Sequence, residues 1–406
     1  MRENVKPIGW KMGLNAYFAG MSRRSIMQRF GAELDWHSDK RKDENLYQSE
    51  CPILPEQFDA RNQWTNCKWI GFIRDQSNCG SCWAVSGASV MSDRHCIASN
   101  GTNSPYLSDE ELLSCCHYCA HGCRSGKIEA AFIYWQRSGL VTGGPYGEKA
   151  CCLPYSISPC TMCRPYMLAP KCQRTCQARK NHYYVNQDEF DIMQEIYQRG
   201  PVVAGFKVYH DFLYYISGSS SKTLKYCLTV ELMSNKYRSS SKISVYRKSS
   251  AYYLGNHAVK IIGWGKENSI PYWLIANSWN NTFGENGFAR ILRGKDECRI
   301  ESAVFAGIPS LLRQRANTGH NTTISITNNQ VPILTVVLRA LFVHVTNYAF
   351  SGSLRLCVQA NIGPHKFIAL SNNDNQRETV LLNELNNNNA QAAVDYTAHL
   401  RRVSNY

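Results

Sequence analysis

Residues 76–83 read Gln76-Ser77-Asn78-Cys79-Gly80-Ser81-Cys82-Trp83, and from Cys82 to about Ser99 the chain carries Ala84, Ala88 and Met91 at helical spacing. The small residues among them suit a buried helix, which places Cys82 in its first turn. A thiol attacks a carbonyl well only as thiolate, and a helix N-terminus supplies partial positive charge that stabilises that anion. Gln76 can offer its side-chain N–H beside the Cys82 backbone N–H, an oxyanion hole in which one donor is worth about 3 kcal/mol. On spacing alone, though, Cys79 and Cys82 read better as a disulfide pair or a redox motif.

Downstream, Ser108 and Glu111 form a capping box opening a helix that runs into Cys115 and Cys116. Ile128 to Ser138 ends at Gly139, and Phe190 to Arg199 stops at Gly200-Pro201. Strand patterns follow at Ala258 to Trp264, Tyr272 to Ala276 and Gly287 to Leu292. Helices first and strands later imply an α+β chain in two halves. The chain divides into a polar leader, 1–53, and a core, 54–309, that holds every motif. A Ser- and Lys-rich segment, 219–244, reads as a surface insertion in that core. The tail, 310–406, contains the run Asn386 to Asn389 and no chemical motif.

At 406 residues and 44% apolar, the chain can bury a large core. Its net charge of +14 is spread over leader, insertion, core and tail with no basic stripe. It therefore reads as solvated surface and not as a nucleic-acid face. Fourteen of the 18 cysteines fall between Cys67 and Cys176, which reads as a disulfide framework in an oxidising compartment. Zinc is the weaker alternative, because no spaced histidine pair accompanies the Cys-x-x-Cys steps, and no metal or cofactor is expected. The expected location is the secretory pathway, lysosomal or secreted. Residues 1–30 hold no apolar run of the roughly 7 to 15 residues a signal needs, so the true start is expected to be missing from this sequence. Val331 to Val345, broken by Pro332 and Arg339, falls short of the about 20 apolar residues of a membrane span. Asn100-Gly101-Thr102 reads as a glycosylation sequon.

Asn78-Cys79-Gly80-Ser81-Cys82-Trp83 resembles the nucleophile motif of papain-type cysteine peptidases. Gly255-Asn256-His257-Ala258-Val259 looks like that family's histidine segment, and Ala276-Asn277-Ser278-Trp279 like its asparagine segment. The resemblance is closest to the cathepsin B-like group and covers about Trp10 to Pro309. It includes Leu54-Pro55, Phe58-Asp59-Ala60-Arg61, the Cys115-Cys116 doublet and Pro154-Tyr155-Ser156. It implies a papain-like two-domain fold, with a helical left domain around the nucleophile helix and an antiparallel β-barrel-like right domain. It further implies that Cys82 is the nucleophile, His257 its base, Asn277 the orienter of the ring, Trp279 its shield and Gln76 an oxyanion donor. Cys82 and His257 lie 175 residues apart, beyond the expected ~130 to 150. Removing the 26 residues of 219–244 leaves 149.

The bridges implied by the resemblance are Cys67 with Cys96, Cys79 with Cys123, Cys115 with Cys172, Cys116 with Cys119, and Cys152 with Cys176, leaving Cys82 free. Cys51, Cys151, Cys160, Cys163, Cys227, Cys298 and Cys357 have no assigned partner. The leader, with Trp10 and Asn15, looks like a truncated inhibitory prosegment. Implied partners are protein or peptide substrates, the chain's own prosegment and cystatin-type inhibitors.

Three departures narrow the expectation. The cathepsin B-like pattern has two adjacent histidines on an occluding loop that bind a substrate carboxylate, whereas only Thr161 and Met162 stand between Cys160 and Cys163. Weak peptidyl-dipeptidase and open endopeptidase action are expected. The acidic floor of the S2 pocket is replaced by Ala303, which favours apolar P2 side chains. The family's Gly-Gly becomes Ser125-Gly126, where Gly126 presents backbone to substrate and Ser125 narrows S3. Two other readings are a catalytically inactive, disulfide-rich binding or matrix homologue, and a Cys-rich interaction module using the tail.

Overall fold

In the computed structural model, the residues described are 10, 12–13, 15–35, 54–159, 168–173, 176, 181–186, 189–216, 244–309, 343–350, 353–360 and 368–371. The leader contributes α1 (Arg23–Met27) and β1 (Ala32–Glu33). The core continues through β2 (Phe58–Asp59), α2 (Ala60–Gln63), α3 (Cys82–Ala98), α4 (Asp109–Cys115), β3 (Gly126–Lys127) and α5 (Ile128–Ser138). After β4 (Asn181–Asn186) and α6 (Glu189–Arg199) come β5 (Val202–Tyr209), β6 (Val245–Tyr246), β7 (Tyr253–Glu267), β8 (Ile270–Ala276), β9 (Phe288–Leu292) and β10 (Val304–Pro309). The α+β class and the papain-like arrangement both hold.

All seventeen residues of α3 are buried, so the helix has no water-facing side and is held by neighbours all round. Two buried ion pairs anchor it. Asp93 Oδ2 accepts from Lys260 Nζ of β7 at 2.7 Å, and Arg94 donates to Glu195 of α6 at 2.6 Å. Burial pushes the Asp93 carboxyl up and the Lys260 ammonium down, each opposed by the partner's charge. Removing one member of such a pair strands a charge and costs about 3–5 kcal/mol.

The sheet runs β4-β10-β5-β7-β8-β9-β6, with β2 on β7. Every pair is antiparallel except β6 with β9. It follows an open path, so the barrel-like right half is a largely antiparallel mixed sheet that does not close on itself. β7 is longer than its apolar run because β5 extends its pairing back to Tyr253 and β8 carries it on to Glu267; β2 joins it at Gly263, where a Cβ would meet the Phe58 carbonyl oxygen at 2.0 Å.

The stop signals act as read: Gly139 and Gly200 follow their helices at φ 72° and 101°. The capping box is half formed. Ser108 Oγ accepts from the Glu111 N–H at 3.0 Å, but Glu111 turns its carboxylate to the Val141 N–H and Tyr134 hydroxyl instead.

The five expected bridges are all present: Cys67–Cys96, Cys79–Cys123, Cys115–Cys172, Cys116–Cys119 and Cys152–Cys176. Cys82, Cys151 and Cys298 are free thiols. Residues 160–167, with Cys160 and Cys163, and residues 217–243, with Cys227 and nearly all of the insertion, lie outside the described residues, as does Cys51. In the tail, β11 (Val343–Phe350), β12 (Ser353–Ala360, which contains Cys357) and β13 (Ile368–Ser371) form their own antiparallel meander. Among the described residues no helix is long and apolar enough to cross a membrane.

Candidate active site

Cys82 opens α3 and is fully buried. Ser81 precedes it, yet its hydroxyl does not cap the helix, because it is hydrogen-bonded to the Tyr155 hydroxyl at 2.7 Å. The first-turn amides are thus left for the sulfur, and the N–H groups of Cys82 and Trp83 turn toward it. Two more N–H groups converge there, from Ala258 on β7 and Gly31 of the leader. Burial outweighs these donors and pushes the thiol up to about 11.

His257 lies on β7 and Asn277 just past β8, strands paired antiparallel. His257 Nε2 stands 2.7 Å from Asn277 Oδ1, which also accepts the Ser278 N–H at 2.8 Å. An amide oxygen can only accept, so Nε2 carries the proton and Nδ1 keeps a lone pair, with no hydrogen-bond partner in the structure. Trp279 stacks on the ring at 4.4 Å between centroids, and burial holds the imidazole down to about 4. Burial thus disfavours the charged form of both the thiol and the imidazole here.

Gln76 is fixed from three sides. Its N–H donates to the Ser278 carbonyl at 2.9 Å, and Ser278 Oγ donates to Gln76 Oε1 at 2.7 Å. That leaves Nε2 facing the cleft, where it donates to the carbonyls of Cys79 at 2.8 Å and Arg29 at 2.9 Å. Arg29 belongs to the leader, which threads the cleft. β1 pairs in parallel with β3, and the Gly126 N–H donates to the Gly31 carbonyl at 2.8 Å. Gly31 is needed at this approach, since a Cβ would lie 1.9 Å from the Gly80 carbonyl oxygen. Upstream, Tyr17 and Phe18 pack on Trp279, and Trp10 packs on Tyr215 and Tyr246.

Of the remaining expected residues, Ser125 and Gly126 contact the leader and Ala303 lies in the apolar cluster that includes Cys82. Ser125 Oγ donates to Glu33 Oε1 of the leader. Ala303 is buried, and its carbonyl accepts the Gly205 N–H at 2.8 Å. Leu34 packs against the apolar cluster that includes Ala303, Ala258 and Val203, and covers Gly205. No group of three or more metal-ligating side chains occurs among the described residues. Lys260 was not singled out from sequence, and Tyr155 and Ser81 were quoted in their motifs without a role. Ser278 was quoted in its motif but given no role, although its place between Gln76 and Asn277 was a signal.

A helix whose first residue is a buried free cysteine, set against a sheet carrying a His–Asn pair, defines a cysteine-peptidase class of site. The model of the papain family cysteine proteases matches residues 54–308. Curated relatives include a cathepsin B-like cysteine proteinase 3 of Caenorhabditis elegans, 44% identical over 274 residues, covering 64% of this chain and 67% of that protein. A gut-specific cysteine proteinase of the same organism is 43% identical over 268 residues, covering 63% and 73%. Among solved structures, proCathepsin B S9 from Trypanosoma congolense superposes with a TM-score of 0.59 at 33% identity, covering 74% of this chain and 93% of that one. A digestive procathepsin L 3 of Tenebrio molitor shares the fold at a TM-score of 0.53 and 19% identity, covering 74% and 83%. The chain belongs to the papain family of cysteine proteases, in its cathepsin B-like group, and is a cysteine-type peptidase.

Proposed function

We propose that residues 54–309 form an endopeptidase core in which Cys82, His257 and Asn277 cleave peptide bonds through an acyl-enzyme. The single observation that carries this is the His257–Asn277 hydrogen bond at 2.7 Å, which leaves an unpartnered Nδ1 to serve a thiol at a helix N-terminus. His257 Nδ1 takes the thiol proton, and the thiolate attacks the scissile carbonyl. The Gln76 Nε2–H and Cys82 N–H stabilise the resulting oxyanion. The imidazolium then protonates the leaving amine, and the thioester is hydrolysed by a water that His257 deprotonates. Gly126 holds the substrate backbone and Ala303 floors an S2 pocket for apolar P2 side chains, a reading supported by the packing of Leu34 of the leader against the apolar cluster that includes Ala303. Without a histidine pair between Cys160 and Cys163, peptidyl-dipeptidase action is weak.

The leader, residues 1–53, acts in this reading as an inhibitory prosegment. It sets the Arg29 carbonyl on the oxyanion donor and the Gly31 N–H on the sulfur, so the thiol meets a donor and no electrophile. The enzyme works in the secretory pathway, lysosomal or secreted, on protein or peptide substrates. The test is covalent labelling of the activated protein by an epoxide-bearing peptide. Wild type is expected to label and Cys82→Ala not to. An unlabelled, inactive wild type would leave the inactive binding homologue as the better reading.

A further inference from the structure

We propose that the subsite beside Ser125 selects an acidic side chain at P3, two residues before the residue whose carbonyl is attacked. This rests on the peptidase reading and names a preference within it. The leader shows what the subsite holds: Ser125 Oγ donates to the carboxylate of Glu33, whose register partner across the β1–β3 pair is Lys127. The hydroxyl is held in place, because the Ser125 carbonyl accepts the His121 N–H at 2.9 Å inside a tight loop, and Gly126 packs against the Trp83 ring. Glycine at this position would offer no donor.

The charged core residues nearest Ser125 in sequence are basic. Arg124 and Lys127 flank Ser125 in sequence and are both exposed. Arg124 also lines a cleft of about 490 Å³ with Arg23, Arg24, Met27 and Gln28 of the leader. Once the leader departs, the rim around the Ser125 hydroxyl keeps Arg124 and Lys127, and Glu33 leaves a vacated carboxylate position. A substrate carboxylate there gains a charge-assisted hydrogen bond and a favourable field, and a P3 lysine meets repulsion.

Three fluorogenic peptides identical except for Glu, Ala or Lys at P3, with Phe at P2, are cleaved by the activated full chain. The expected order of kcat/KM is Glu, then Ala, then Lys. Glu should exceed Ala about five- to tenfold, chiefly through KM, in line with a hydrogen bond to a charged group at a partly exposed site. Ser125→Gly should cut the Glu-to-Ala ratio several-fold, leaving only what Arg124 and Lys127 sustain, and Ser125→Thr should restore it. A Glu-to-Ala ratio of one in wild type, or one that Ser125→Gly leaves unchanged, overturns the inference. Failure to cleave any of the three overturns the peptidase reading itself, and this inference with it.

Discussion

At the scale of single residues, the site is a set of groups whose protonation depends on cover. His257 is held to about 4 beneath the leader, against an ordinary value near 6.5, because burial penalises the imidazolium. Once water reaches the ring its affinity for a proton rises toward the ordinary value, so the open form binds that proton first. The covered form is therefore fully favoured above about pH 6.5 and loses up to about 3 kcal/mol relative to the open form as pH falls toward 4. Cys82, pushed up to about 11, stays neutral throughout that window. Hydrogen-exchange protection factors at residues 29–34 in full-length Cys82→Ala, taken relative to the intrinsic amide rate at each pH, should fall between pH 7 and 4; protection factors that ignore pH would contradict this. Ala303 makes a second residue-scale prediction. Wild type should prefer P2 Phe over P2 Arg, and Ala303→Glu should raise the Arg-to-Phe rate ratio about tenfold or more by placing a carboxylate at the pocket floor. Equal rates on the two wild-type substrates would rule the apolar floor out. Cys82, His257 and Asn277 were legible because their chemistry lies in side chains with recognisable flanks. The Arg29 carbonyl on Gln76 and the Gly31 amide on the sulfur were not, since backbone groups leave no mark in the sequence.

At the scale of elements, covalent links and strand pairing decide where the site's parts stand. Cys79–Cys123 spans 44 residues and ties the loop before α3 to the loop carrying Ser125. Because the Cys79 carbonyl is also a partner of Gln76 Nε2, the bridge steadies the amide proposed as oxyanion donor. Replacing both cysteines by serine should cost about 4 kcal/mol, a fall in Tm of the order of 10 °C, and lower kcat more than it raises KM. An unchanged Tm in a thermal melt would argue against the bridge as a structural tie. The boundaries of α3, α5 and α6 could be read from periodicity and glycine stops, which are local. The Lys260–Asp93 pair joins residues 167 apart and depends on how α3 lies on β7. Glu111 likewise leaves its local cap for Val141, thirty residues on, a choice no window of sequence contains.

At the scale of the whole molecule, the five described bridges and the described site residues lie in the unit comprising Met1–Asp43 and Leu54–Gly319, while the tail's described strands pair with one another. Ending the chain after Gly319 should therefore leave peptidase activity within about twofold and the Tm of the core unchanged, as measured on both forms activated in parallel. A collapse of either would show that the tail supports the core. From sequence the tail was visible only as a change of composition, because its three short strands carry no recognisable motif.

The parallel pairing of β1 with β3 is made within one chain. While the leader and the core remain joined, that pairing is a first-order event, and the tether supplies the leader at an effective concentration in the millimolar range. One cut between Asp35 and Leu54 makes rebinding second-order, so its strength then depends on how dilute the released leader becomes. Dilution drives the released strand away after a single hydrolysis, and the change of molecularity makes that step practically one-way without any further rearrangement of the core.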